Sequence, residues 1–174
     1  MQKTTNLTTP FSEEDISELE VGDVVSINGF IYTGRDAVLP KIVKAAEEGT
    51  LGELGIDLQG AVIFHTAVSP AGVGPTSSNK VEIEASFEPL SRYGVKMHLG
   101  KGAISKETVQ ALARHNAVFA VIPPVTALLE SQTSDREVVA FPELGMEALH
   151  RIKVENYQAI IGAAKGRSIY ESDE

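Results

Sequence analysis

Three cations in this chain stand beside tight turns. Arg35 follows Thr33-Gly34, Lys80 closes the run Gly74-Pro75-Thr76-Ser77-Ser78-Asn79-Lys80, and Lys101 lies between two glycines in Gly100-Lys101-Gly102. Glycine lets backbone approach a ligand closely, and α/β proteins bind ligands in the loops that leave the ends of strands. Together the three could clamp a small dianion through charge-assisted hydrogen bonds. Read one by one, they are solvated charges next to ordinary turns. Thr76, Ser77 and Ser78 add three successive hydroxyls. A positioned hydroxyl can orient a substrate, or pass a proton if neighbouring cations lower its high pKa. The plain alternative is a polar loop.

Other chemistries are excluded or weakly supported. Lys101 does not belong to a Walker loop, because its glycines are in the wrong order and no Ser or Thr follows it directly. Neither G-x-G-x-x-G nor G-x-S-x-G occurs. The four histidines, His65, His98, His115 and His150, are scattered, with no H-x-x-x-H or H-E-x-x-H spacing, which argues against a metal site. The chain has no cysteine, so it offers no disulfide, no thiolate nucleophile and no ligand for a Cys-bound zinc or iron–sulfur centre. With 15 Lys+Arg against 24 Asp+Glu, the net charge is −9, which disfavours nucleic acid and anionic membrane surfaces as partners. No apolar window reaches the roughly 18 residues of a membrane span. The start lacks the pattern of a secretory signal, so the expected location is the cytoplasm.

The elements that must position these residues follow from periodicity. A length of 174 residues fits one domain, expected over 21–174, after an acidic N-terminal arm at 1–20. In that arm Ser12 reads as an N-cap with acids in the first helical turn. Asn28-Gly29, between the β-rich runs 24–27 and 30–32, predicts a hairpin turn. Residues 35–48 carry apolar side chains at helical spacing, with Pro40 near the start and Gly49 placed to end the helix. Strands are expected at 61–64, 95–99, 117–122 and 159–161. Helices are expected at 106–115 after Ser105, and in shorter form at 125–130 and 146–151. His65 and His98 then fall near strand ends, and His115 and His150 at helix ends. Alternation of strands and helices predicts an α/β fold, with a mixed sheet because of the hairpin.

Read in order, these segments resemble the β subunit of class I (iron–sulfur) fumarase and L(+)-tartrate dehydratase, a unit that single-chain class I fumarases carry as their C-terminal domain. The resemblance spans about 21–170. It rests on Ile31-Tyr32-Thr33-Gly34-Arg35-Asp36-Ala37, on Leu58-Gln59-Gly60-Ala61-Val62-Ile63-Phe64, and on Gly74-Pro75-Thr76-Ser77-Ser78. Gly94-Val95-Lys96 through Gly100-Lys101-Gly102, Glu137-Val138-Val139-Ala140 with Glu143-Leu144-Gly145, and Val154-Glu155-Asn156-Tyr157 follow in the same order.

The resemblance implies a swivelling β/β/α-type domain. It implies reversible loss of water from a hydroxy-dicarboxylate, foremost malate to fumarate. A [4Fe-4S] cluster is implied in a cysteine-bearing α subunit, with none ligated by this chain. By position, Arg35 matches the arginine that binds a substrate carboxylate, Thr76 the threonine taken as the catalytic base, and Lys101 a substrate-contacting lysine. Asp36 would support Arg35, or cap the helix that follows. Lys80 stands where the family has arginine, keeping the charge but losing the planar fork that binds a carboxylate bidentately. Val81-Glu82 replaces Met-Asp, and Leu39 replaces a histidine. These departures leave open L(+)-tartrate or another hydroxy-dicarboxylate as substrate, or a non-catalytic regulatory module of the same fold. Self-association into a homo-oligomer is a further expectation.

Overall fold

Four parallel strands form the centre of the architecture: β2 (Val24–Thr33), β3 (Val62–Phe64), β6 (Met97–Gly100) and β7 (Val118–Val121). The structure, a computed structural model, describes residues 4–34, 38–65, 68–69, 72–73, 86–100, 104–121 and 133–168. The long strand β9 (Leu149–Ala164) runs antiparallel to both β2 and β7 and so closes the path β2-β3-β6-β7-β9 back onto β2. β1 (Thr4–Thr8) joins β2 in parallel, β8 (Thr133–Ala140) pairs with the first part of β9, and β10 (Arg167–Ser168) with its end. β4 (Val68–Ser69) and β5 (Gly72–Val73) make a separate antiparallel pair. The helices are α1 (Glu13–Ser17), α2 (Leu39–Glu48), α3 (Phe87–Arg92) and α4 (Lys106–Arg114), with 3-10 turns at Leu51–Leu54 and Pro142–Glu147. The fold is mixed α/β, as expected. Among the described residues no helix is long and apolar enough to cross a membrane.

Side-chain alternation along the strands divides the core. Val62 and Phe64 join Ile27, Ile31, Leu99 and Tyr157 in one buried cluster fed by every strand of the closed path. Ile63, between them, faces the opposite way and packs with Leu39 and Ile42 of α2. Phe119 of β7 likewise meets Phe87 of α3 and Leu112 of α4. A period of two on the strands and an apolar stripe on each helix suffice to produce these layers.

The Asn28-Gly29 hairpin is not formed. β2 runs straight through both residues, with a register shift against β9 between Ile27 and Gly29. Gly29 takes φ 106°, the Asn28 side-chain amide donates to Leu7 O at 3.3 Å, and its Oδ1 accepts from Asn156 N at 3.0 Å. The pair makes a bulge rather than a turn, because each flanking run finds a better partner than the other: β1 on one side, β9 on the other. The sheet is mixed because of β9, not because of a hairpin. The helix expected at 146–151 is also absent. The 3-10 turn ends at Glu147 and Leu149 already begins β9, so His150 lies in a buried strand position, not at a helix end.

Capping expectations hold where they can be seen. Ser12 Oγ accepts from Asp15 N at 3.0 Å while Asp15 Oδ2 accepts from Ser12 N at 3.0 Å, a reciprocal capping box. Ser105 caps α4, and Gly49 ends α2 at φ 74°. Residues of the expected arm are built into the fold: β1 is a strand of the sheet, and Ile16 and Leu19 are buried in the core. The buried ammonium of Lys96 donates to Glu13 at 2.5 Å and to His115 O at 3.2 Å. That contact holds the Glu13 carboxyl below its ordinary pKa.

Gly60 is where the N-terminal residues lock onto β3. It sits at φ 76°, and its carbonyl accepts from Phe11 N at 2.8 Å. A Cβ there would lie 2.5 Å from Phe11 O and 2.9 Å from Phe11 N. Gly60→Ala is therefore expected to cost about 2–4 kcal/mol, from left-handed backbone strain plus backbone collision. For a chain of this size that is a fall in Tm of about 5–10 °C, measurable by calorimetry. An unchanged Tm would contradict the packing described.

Candidate functional site

The parallel strands end in register along one edge of the sheet. Thr33 of β2 lies beside Phe64 of β3, Phe64 beside Leu99 of β6, Leu99 beside Ala120 of β7, and Gly100 beside Val121. Just past the strand ends, Gly34 N donates to Phe64 O at 3.0 Å and His65 N to Leu99 O at 3.0 Å, extending the ladder by one residue on each strand.

Arg35, Asp36, Thr76, Lys80 and Lys101 all lie outside the described residues; the described structure fixes the points between which their segments run. Arg35 and Asp36 follow Gly34 directly and precede Val38, which opens α2. Gly34 is held tightly: a Cβ would meet Val38 Cγ1 at 2.9 Å, Leu39 Cδ2 at 3.0 Å and Leu149 Cδ1 at 3.3 Å. Any larger residue there would force the buried side chains of Val38, Leu39 and Leu149 to shift. Lys101 follows Gly100, the last residue of β6, and the next described residue is Ile104, just before the Ser105 cap of α4. Thr76 and Lys80 fall between Val73, which ends β5, and Ser86, which precedes α3. The segments of Arg35 and Lys101 thus begin at the ends of β2 and β6, on either side of β3, whereas the Thr76–Lys80 run follows β5 of the separate two-stranded sheet. The first two lead into the N-termini of α2 and α4, where the helix dipole favours an anion.

Sequence reasoning left His65 and His98 open and missed Ser91. The structure joins all three at this edge. His65 Nε2 lies 3.0 Å from His98 Nδ1, and His98 Nε2 lies 2.9 Å from Ser91 Oγ on α3. Phe87 stacks on His98 at 4.4 Å between ring centroids and packs tilted against His65 at 4.5 Å. Both rings are buried, and burial disfavours their charged forms. His98 is pushed down to about 3, and His65 well below the usual histidine range, with any charge on His98 adding to the effect. The pair is neutral at ordinary pH. His65 Nδ1 and Thr33 Oγ1 are both buried at this edge and have no hydrogen-bond partner among the described residues.

The sequence of the chain offers no thiolate for an iron–sulfur cluster. Among the described residues no group of three His, Asp or Glu side chains is placed to hold a metal. A cluster held by this chain would have no thiolate among its ligands.

The family profile described as fumarase C-terminus matches residues 1–173. The chain belongs to the fumarase C-terminal family. Within it, the chain is 31% identical to a provisionally named L(+)-tartrate dehydratase subunit beta of Methanocaldococcus jannaschii, over 92% of this chain and 88% of that protein. It is 30% identical to the L(+)-tartrate dehydratase subunit beta of Escherichia coli K12, over 89% of this chain and 80% of that protein. A provisionally named class I fumarate hydratase of Geobacillus stearothermophilus is 30% identical over 97% of this chain, which spans only 34% of that longer protein. Family membership thus agrees with the resemblance carried by the glycine-flanked cations and the Gly-Pro-Thr run.

Proposed function

We propose that this chain is the β subunit of a two-component iron–sulfur hydro-lyase acting on a hydroxy-dicarboxylate, with malate to fumarate as the leading reaction. One observation carries the reading: in a chain of the fumarase C-terminal family, Arg35 and Lys101 follow the ends of β2 and β6, the two strands that flank β3 in the sheet. In this proposal residues 21–174 form one swivelling β/β/α-type domain with residues 1–20 as its arm, working in the cytoplasm. A cysteine-bearing α subunit holds the [4Fe-4S] cluster, which supplies Lewis-acid chemistry in that family.

The roles are those the family resemblance implies, and side-chain chemistry suits them. The planar fork of Arg35, supported by Asp36, binds one carboxylate bidentately. Lys80 and Lys101 are point charges for the remaining oxygens. Thr76 removes or returns the proton on the carbon next to a carboxylate. Such a proton is weakly acidic, so negative charge must be stabilised as it spreads into that carboxylate, and preorganised cations are the means. An overall charge of −9 does not oppose this, because local cations act at contact distance while distant surface acids are screened within roughly 10 Å.

L(+)-tartrate is the second reading, supported by the relatives named as tartrate dehydratase β subunits that match over most of both chains. The additional hydroxyl of tartrate needs further polar contacts, and Lys80 in place of an arginine alters the donor geometry. Steady-state assays of the reconstituted complex on malate, fumarate and L(+)-tartrate separate the two. Preference for malate and fumarate supports the first reading and preference for tartrate the second. A complex silent toward all three would overturn both and favour a non-catalytic binding module.

A further inference from the structure

The buried Ser91–His98–His65 chain has a polarity that its hydrogen bonds determine. Ser91 Oγ is buried, and its hydrogen bond among the described residues is the one to His98 Nε2. Its hydroxyl proton is satisfied if it points at that nitrogen. His98 Nε2 is then the acceptor, and because the ring is neutral its proton resides on Nδ1. His98 Nδ1 donates to His65 Nε2 across 3.0 Å, so His65 Nε2 is also an acceptor and the His65 proton is on Nδ1. The opposite polarity would make Ser91 an acceptor and strand its proton in the core. Phe87, packed against both rings, holds them in this arrangement.

The chain therefore ends in a neutral N–H at His65 Nδ1, on the ring edge directed away from His98. That atom is buried and unpartnered among the described residues. Leaving a donor unpaired in the interior forfeits its hydration with nothing in return, a cost seldom retained without use. His65 directly follows β3, at the strand end between Gly34, which precedes Arg35, and Gly100, which precedes Lys101.

We infer that His65 Nδ1–H donates to a carboxylate oxygen of the substrate, with His98 and Ser91 as positioning residues that fix it as a donor. This rests on the hydro-lyase reading for the identity of the ligand. A neutral donor complements the cations: it adds direction without adding charge, and it cannot release a proton to the carboxylate it holds. Substrate geometry, more than charge, is what it reads.

Two measurements test this. In the first, long-range proton–nitrogen correlation spectra of the 15N-labelled full chain report which imidazole nitrogens carry protons, with no need for activity. Both His65 and His98 should be neutral and protonated on Nδ1, and Ser91→Ala should release the end of the chain and populate the Nε2-protonated forms. A charged His65, or one protonated on Nε2, overturns the inference. The second measurement is the kinetics of the reconstituted complex with His65→Asn and His65→Gln. The asparagine amide nitrogen can occupy the position of Nδ1, whereas that of glutamine reaches the position of Nε2. His65→Asn should keep kcat/KM within about threefold of wild type, while His65→Gln should lower it by about tenfold to hundredfold, chiefly through KM. Equal losses in both variants would reduce His65 to a packing residue and overturn the inference. A wild-type complex inactive on malate, fumarate and tartrate would instead overturn the hydro-lyase reading, while the spectra still decide the polarity of the relay.

Discussion

Thr76→Val is expected to lower kcat of the reconstituted complex by about 10²–10⁴-fold, with KM changed by no more than about threefold. Valine keeps the volume and β-branching of threonine and removes only the hydroxyl, so the loss reports proton transfer rather than folding. The size follows from what general acid–base groups ordinarily contribute. Thr76 is a weak base at its usual pKa and works only if surrounding cations lower the cost of its ionised form. Lys80, four residues on in the same run, is the nearest such cation in the sequence. Rapid-mixing and steady-state assays of the variant complex decide the point. A Thr76→Val complex retaining more than about a third of wild-type kcat would remove Thr76 from the chemistry and leave the base to be sought elsewhere.

Arg35→Lys is expected to lower kcat/KM by about tenfold to hundredfold, although charge is preserved. Arginine presents two parallel N–H groups in one plane, matched to the two oxygens of a carboxylate. Lysine offers a single mobile ammonium. The loss should be large because a single ammonium cannot reproduce two parallel donors; on either side of this position Gly34 packs against Val38, Leu39 and Leu149, and Val38 caps α2. The variant's KM for a dicarboxylate should rise more than its kcat falls, because part of the lost contact is already made in the ground state. Unchanged kcat/KM in Arg35→Lys would show that Arg35 binds through charge alone, or not at all.

These two residues show what the sequence made legible and what it did not. Residue type and order marked Arg35, Thr76, Lys80 and Lys101 because glycine beside a cation or a hydroxyl is a local signal, readable without the fold. The strands that lead to them were also visible: β3, β6 and β7 are short apolar runs bounded by turn residues, and the caps Ser12, Ser105 and Gly49 stand where helix termini need them. What failed was pairing. Asn28-Gly29 carries a turn signature, but whether it turns the chain depends on β1 and β9, which lie far away in sequence. β9 itself was seen only at 159–161, since charged residues such as Arg151, Lys153 and Glu155 interrupt its apolar pattern. Those positions alternate with Ile152 and Val154, which are buried, as a strand with one solvent-facing side requires. The relay of Ser91, His98 and His65 was beyond sequence reasoning for the same reason. Its members come from α3, β6 and the end of β3, and no spacing rule joins them.

Incorporation of the N-terminal residues has a similar lesson. An acidic, polar stretch reads as a short arm or one helical turn; the turn is present as α1, and Leu7, Phe11, Ile16 and Leu19 beside it are buried in the main core cluster. The acids occupy the exposed side of α1, and Glu13 also meets the buried Lys96. Composition averaged over 20 residues conceals the few apolar side chains that meet the core.

In the proposed function this chain supplies half of a hydro-lyase site and depends on a cluster-bearing partner for the other half. The direct measurement is fumarate absorbance under anaerobic conditions, with the purified chain alone, its cysteine-bearing partner alone, and the two mixed. Turnover of malate and fumarate, or of L(+)-tartrate by oxaloacetate formation, is expected only in the mixture. Full activity from this chain alone, or a mixture that forms a complex yet turns over none of these acids, would contradict it.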